Sequence, residues 1–233
     1  MSAVPAAIVK AFGQLGDRAV VAVLVKSIAI TLVVFAGLGV GLYFGLVEAG
    51  QRYGVDEGWA GLAAVLLVPL AMWLLFRVVA LVVLQFFADE IVVAVEARHY
   101  PALAERAQPL PLPREVAVAT RGLLRALGYN LLALPLAAVL LFTAIGPAVV
   151  FLAVNAVLLG REFTDMAWLR HHTAAGGGDE AANPSPWAER ALLGAAIAGL
   201  MLVPFLNFVA PVIGAAAGTH LVLRRIEAGA AAR

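Results

Sequence analysis

The sequence contains no cysteine and only four histidines among its 233 residues. The absence of cysteine excludes disulfides, thiol chemistry, cysteine-ligated zinc and iron–sulfur clusters. The histidines show no His-x-x-x-His spacing, which gives metal catalysis no support. The sequence also lacks a phosphate-binding glycine loop, a nucleophile elbow and a paired-carboxylate site. We therefore expect neither an enzymatic activity nor a cofactor.

Charge is also scarce. Lys and Arg total 16, Asp and Glu total 15, and the formal net charge is +1. This balance leaves no strong field to attract nucleic acid. Hydrophobic residues instead make up 63% of the chain, against roughly 45–50% in soluble proteins. The composition predicts a membrane protein whose main partner is the lipid bilayer, and it excludes a soluble single-domain enzyme.

The order of the apolar runs predicts an all-α membrane protein. Residues 4–19 carry apolar side chains at helical spacing and predict an amphipathic helix at the membrane surface rather than a signal peptide. Residues 27–47 and 59–88 each exceed the roughly 20 residues that a span requires. We expect two long antiparallel transmembrane helices, followed over residues 89–125 by a cytoplasmic extension and a proline-rich linker.

Two later apolar stretches, residues 126–160 and 191–223, are too long for one untilted span and short for two. Each contains helix breakers near its middle: Pro135, Gly146 and Pro147 in the first, and Pro204, Asn207 and Pro211 in the second. A broken backbone at mid-depth is tolerated only where protein or a water-filled cavity covers it. We predict two re-entrant helical hairpins, and the alternative is a kinked full span in each stretch.

The distribution of Lys and Arg predicts the orientation. Basic residues concentrate before the first span and after the second, which places the N-terminus and the linker in the cytoplasm and residues 48–58 outside. The count of basic and acidic residues over residues 161–190 does not predict on which side of the membrane this segment lies. Within that segment, His171 and His172 precede three glycines and predict a solvated loop.

Polar groups at the apolar segments are the first candidates for function. A central Arg costs roughly 2.5–3.5 kcal/mol on insertion scales, so Arg77 either offsets a permeating anion or forms a structural ion pair. Arg18 and Lys26 either gather anions or anchor a helix among headgroups. Asn207 lies between two prolines, where free backbone N–H groups would favour an anion, although a hydrogen bond between helices would also explain it.

Several strings resemble those of CysZ-like sulfate permeases and the related etoposide-induced membrane proteins. Residues 203–214, VPFLNFVAPVIG, followed by Thr219 and His220, are similar to the last hairpin of that family. Gly160, Arg161, Glu162 and the Phe that follows them resemble its Gly-Arg-Glu-Tyr signature. The resemblance covers nearly the whole chain and implies two long helices, two hemi-penetrating hairpins, homo-oligomers and sulfate uptake for cysteine synthesis.

The resemblance also implies an anion-binding stretch. In the sulfate permeases, a Gly-x-Arg-Arg-like motif at the start of the first long helix contacts sulfate, and the matching residues here are Gly16, Asp17, Arg18 and Ala19. Ala19 replaces one arginine, and Asp17 adds a negative charge where a dianion would bind, which is unfavourable. Sulfate and another oxyanion are therefore both open as substrates.

The sequence predicts a multi-pass permease or channel for a small oxyanion, with sulfate first, in a bacterial inner membrane. Passage would be downhill, because no nucleotide-binding motif is present. The candidate anion-binding residues are Gly16, Arg18, Lys26, Arg77 and Asn207. The alternative is a membrane-shaping or scaffold protein of the same fold that transports nothing.

Overall fold

A computed structural model describes residues 3–143, 145–172 and 183–231, and these residues form helices and short links without a strand. The elements in chain order are α1 (Ala3–Gly13), α2 (Arg18–Arg52), α3 (Glu57–Phe86), α4 (Ala88–His99), α5 (Pro101–Ala104), α6 (Leu112–Val139) with a 3₁₀ turn (Leu140–Thr143), α7 (Gly146–His172), α8 (Trp187–Met201) and α9 (Leu206–Ala231).

Four segments within these described ranges are long and apolar enough to cross a membrane: Arg18–Arg52, Leu112–Thr143, Gly146–His172 and Leu206–Ala230. The protein is therefore an all-α membrane protein, as its composition predicts. Helix α2 extends beyond the predicted residues 27–47 at both ends, because an apolar run marks the lipid-facing part of a helix and not its hydrogen-bonded length.

The chain divides into two compact units. Residues Val21–Phe87, with most of α2 and all of α3, form one unit. Gly54, in the turn between these helices, has a φ of 75°, a left-handed conformation that glycine adopts without a steric penalty. Near this turn α2 and α3 approach closely, since a Cβ added at Gly50 would lie 2.7 Å from that of Ala60.

Residues up to Val20 and from Ala88 onward form the other unit, and its core is α9. Every residue from 210 to 223 is buried. Helix α1 buries Val4, Ala7 and Ala11 and exposes Val9 and Phe12. Spacings of three and four residues put the buried set on one face, so α1 is amphipathic, as predicted.

Both later apolar stretches are interrupted near their middles, at only some of the predicted helix breakers. The first break lies directly before Gly146 and Pro147, the first residues of α7. The second break contains Pro204 and a left-handed Phe205 with a φ of 67°, whereas Pro135 and Pro211 lie inside α6 and α9. An interior proline removes only one backbone hydrogen bond. In these helices that loss does not end the helix.

Each stretch also folds back on itself. Arg125 and Arg161, which flank residues 126–160, line one cavity. Glu189 and Arg225 flank residues 191–223, and Arg225 Nη2 lies 2.6 Å from Glu189 Oε1. At 1.5 Å per residue, one continuous helix over either stretch would separate its ends by about 50 Å. The close ends exclude a single continuous helix through either stretch.

The region predicted as an extension and linker, residues 89–125, is mostly helical. Only Tyr100 and the residues between Ala104 and Leu112 lie outside helices. Pro113 falls in the first turn of α6, where a missing N–H removes no intrahelical bond. The prolines therefore predicted a longer non-helical linker than the structure contains.

The prediction of a solvated loop at His171 and His172 is wrong. Both residues are buried at the end of α7. His171 Nε2 lies 3.0 Å from Glu96 Oε1, and Arg170 Nε lies 3.1 Å from Glu96 Oε2. The buried carboxylate of α4 therefore holds the end of α7. Glycines 176–178 lie outside the described residues.

Candidate functional site

A cavity of about 80 Å³ lies where α6, α7 and α8 meet. Its lining consists of Arg125 and Tyr129 from α6, Val157, Leu158 and Arg161 from α7, and Trp187, Arg190 and Ala191 from α8. Residues three or four positions apart share a helix face, so each helix turns one face toward the cavity. Three arginines from three helices converge there.

Glycines bring two of these helices together. A Cβ added at Gly160 of α7 would overlap the carbonyl oxygen of Arg190, and one added at Gly194 of α8 would overlap that of Ala156. The two backbones can pass this closely only because neither glycine carries a side chain. Since Arg161 directly follows Gly160, this crossing sets Arg161 beside Arg190.

The charged side chains that line the cavity are all basic. Asp165 lies against one of them, with Oδ2 3.1 Å from Arg161 Nε, and its Oδ1 accepts a hydrogen bond of 3.0 Å from Asn183 Nδ2. Within the described ranges, the side chains of Arg125 and Arg190 have neither an ion pair nor a hydrogen bond. The lining is therefore cationic.

Arg190 is half-buried. Burial lowers the pKa of Arg190, Asp165 opposes this effect, and Arg161 and Arg125 lower the pKa further. Arginine nevertheless stays protonated in proteins. Its Nε is buried without a hydrogen-bond partner among the described residues, a cost of about 1–3 kcal/mol for a buried donor. An oxyanion would accept two parallel hydrogen bonds from a planar guanidinium group of this kind.

The sequence-predicted anion stretch lies elsewhere in the same unit. Gly16 is in the turn after α1, Arg18 begins α2, and both are exposed. Asp17 between them has Oδ1 3.1 Å from Arg98 Nη1. The negative charge that departs from the sulfate-permease motif is therefore compensated by a cation from α4.

Asn207 lies in the first turn of α9 and is half-buried. Its N–H donates to the carbonyl of Val203 at 3.1 Å, and the N–H groups of Leu206 and Phe208 are also bonded. The prediction of free backbone donors around Asn207 is wrong, because the tight turn before α9 pairs them internally. Its Oδ1 is buried without a partner among the described residues, and an acceptor of this kind does not attract an anion.

Lys26 and Arg77 belong to the unit Val21–Phe87. Lys26 Nζ lies 4.7 Å from the centre of the Phe87 ring, a cation–π distance. Arg77 is in α3, and its side chain lies outside the described part of the structure. In the other unit, no described hydrogen bond or ion pair joins Gly16, Arg18 and Asn207 to one another.

The motif residues have different surroundings. Arg161 lines the cavity, Glu162 is exposed on α7, Pro204 is exposed in the link between α8 and α9, and Pro211 is buried in α9. The fifth, His220, is fully buried: Gln14 Nε2 donates to its Nε2 at 2.7 Å, and its Nδ1 lies 2.8 Å from the Tyr100 hydroxyl. These bonds tie α9 to α1 and to the end of α4, which is a structural role.

Sequence reasoning missed Arg125 and Arg190, which entered only the counts of charge near the spans. A usable signal was present, because Arg125, Arg161 and Arg190 each directly flank one of the two apolar stretches. If a stretch folds back, the residues at its ends lie at one level. Arginines at three such ends can therefore meet.

The family model for sulfate transporter CysZ/etoposide-induced protein 2.4 matches residues 7–211 of this chain. The matched part contains α6, α7 and α8, and with them the three arginines and Asp165. No curated protein and no solved structure matches the chain.

Proposed function

The chain belongs to the sulfate transporter CysZ/etoposide-induced protein 2.4 family, and we propose that it is a permease for a small oxyanion, sulfate first. The proposal includes a bacterial inner membrane as its location and a homo-oligomer as its assembly. The observation that carries it is the cavity whose described lining brings together Arg125, Arg161 and Arg190 and contains no carboxylate.

The size and the chemistry of the cavity suit such an ion. Its volume is about 80 Å³, whereas one water molecule needs roughly 10–15 Å³ by the same measure. The space therefore accommodates an ion of a few heavy atoms that has lost part of its hydration shell. Guanidinium groups replace the lost water with charge-assisted hydrogen bonds.

The helix lengths support hairpins that enter the membrane from one side. Helix α8 has 15 residues, fewer than the roughly 20 that cross a bilayer. A short arm that returns through α9 suits a re-entrant hairpin, with the arginine cavity near its base. The proposal also assigns Arg18 and Lys26 to gathering the anion and Arg77 to offsetting its charge.

The test is sulfate uptake into proteoliposomes by the full-length protein and by Arg190→Gln. Loss of one charge-assisted partner costs roughly 1.5–3 kcal/mol, so we expect initial uptake at low sulfate to fall about 10-fold or more. Arg121→Gln is the matched control, because Arg121 is exposed on α6, one turn before Arg125, and does not line the cavity.

Equal uptake by Arg190→Gln and Arg121→Gln would contradict the assignment of the cavity. If the wild-type protein is folded but transports none of sulfate, phosphate, nitrate or chloride, the permease proposal fails. That result would favour the membrane-shaping or scaffold alternative.

A further inference from the structure

We propose that Asp165 is a built-in competitor of the transported anion: it occupies Arg161 between passages and keeps the affinity of the cavity low enough for release. This inference rests on the proposed function, because it concerns the same cavity. It assigns to Asp165 a role in tuning affinity, separate from the binding role of the arginines.

The ion pair between Arg161 and Asp165 is easily opened. The two residues are four positions apart on α7, with Arg161 Nε 3.1 Å from Asp165 Oδ2. An ion pair with this spacing stabilises a helix less when the basic residue precedes the acidic one than when the order is reversed. The Arg161 side chain is also 44% exposed, so solvent screens the attraction. An incoming oxyanion can therefore displace the carboxylate from Arg161.

Asp165 stays in place when Arg161 turns away, because a second contact holds it. Asn183 Nδ2 donates to Asp165 Oδ1 at 3.0 Å, and Asn183 Oδ1 accepts the N–H of Ser185 at 2.9 Å. This turn leads directly into α8, which carries Arg190. The carboxylate is thus fixed at the edge of the cavity with or without Arg161.

The charge of Asp165 also acts across the cavity. Burial lowers the pKa of Arg190, and Asp165 is the one group that opposes this shift, against Arg161 and Arg125. A negative charge that stabilises the arginines must repel an anion bound among them. Repulsion of this kind is useful, because permeation requires binding that is favourable enough for entry and weak enough for exit.

The charge argument gives a quantitative signature. The energy between a fixed charge and a bound ion is proportional to the charge of the ion. The cost of opening the Arg161–Asp165 pair is instead the same for every anion, so removal of Asp165 should tighten a dianion by up to the square of the factor for a monoanion. If nitrate binding tightens about 3-fold, sulfate binding should tighten by up to about 10-fold.

The experiment compares wild type with Asp165→Asn in two measurements. Calorimetric titration of the detergent-solubilised protein with sulfate and with nitrate gives the affinities, and proteoliposome uptake gives the maximal sulfate rate. We expect the sulfate Kd to fall by up to about 10-fold, the nitrate Kd by about 3-fold, and the maximal rate to fall several-fold. Affinity and rate should move in opposite directions.

Two further variants complete the design. Glu48→Gln removes a carboxylate from another pair four residues apart, Glu48–Arg52 at 3.1 Å in α2, and should change neither measurement. Asn183→Ala keeps the charge of Asp165 but removes its second contact, and should tighten sulfate less than Asp165→Asn does. Asn183→Ala also tests the inference if Asp165→Asn does not fold.

Unchanged or weaker sulfate binding in Asp165→Asn, while wild type still takes up sulfate, would overturn this inference alone. An equal factor for sulfate and nitrate would show that Asp165 does not repel the bound anion through its charge, which would overturn this part of the inference. Absence of uptake by wild type would instead contradict the proposed function, and the titrations would still decide whether Asp165 competes with a bound anion.

Discussion

The two hairpins are both apolar but differ in what surrounds their long helices. Helix α9 is buried throughout residues 210–223, whereas α6 has no buried residue. Leucines dominate the exposed α6, while α9 carries Gly214, three alanines and Gly218. Small side chains allow helices in a membrane protein to pack closely. Residue size, more than hydropathy, separates a protein-facing helix from one that can face lipid.

The hairpins also differ in charge at their bases. The base of the second hairpin is closed by the Glu189–Arg225 ion pair. The base of the first hairpin holds Arg125 and Arg161, and Arg190 joins them from α8. The second hairpin therefore has a neutral ion pair at its base, whereas the first has a cationic cavity.

The sharpest test of the first contrast truncates the same side chain in the two environments. Leu223 of α9 is 0% exposed and Leu132 of α6 is 76% exposed. We expect Leu223→Ala to lower the free energy of unfolding by about 2–5 kcal/mol and Leu132→Ala by less than about 0.5 kcal/mol. Unfolding titrations in mixed micelles measure both values. Similar losses would show that α6 is also packed against protein.

A smaller effect is expected from the glycine at the crossing of α7 and α8. Gly194→Ala places a methyl group against the carbonyl oxygen of Ala156, and overpacking of this kind typically costs about 1–3 kcal/mol. Gly199→Ala on the same helix is the matched control, because a Cβ there meets nothing within 4 Å. The free energy of unfolding should fall only for Gly194→Ala. If both variants match wild type, glycine packing does not position Arg161 and Arg190.

Much of the fold follows from apolar periodicity, because helix length and amphipathicity are local properties. The helices α2 and α3, the amphipathic α1 and the fact that both later stretches are broken were all predictable. The positions of the breaks were predictable only in part: they lie at Gly146 and Pro204, whereas Pro135 and Pro211 are accommodated inside helices. The helical linker and the burial of His171 were also missed, since both depend on partners distant in sequence, such as Glu96.

The candidate site was less predictable than the fold. Arg161 was identified through the family resemblance, but Arg125 and Arg190 join it only through the packing of three helices. Helix crossings depend on backbone contacts such as Gly160 against Arg190, and no local pattern reports them. Conversely, Asn207 looked functional because two prolines suggested free N–H groups, which the turn before α9 satisfies.

The most direct test of the anion site is a crystal structure of the protein with selenate, a dianion of the same shape as sulfate whose selenium scatters anomalously. The arginine cavity predicts an anomalous peak within hydrogen-bond distance of Arg125, Arg161 and Arg190. A peak at Gly16 and Arg18, with none in the cavity, would contradict this account and return the anion site to the start of α2.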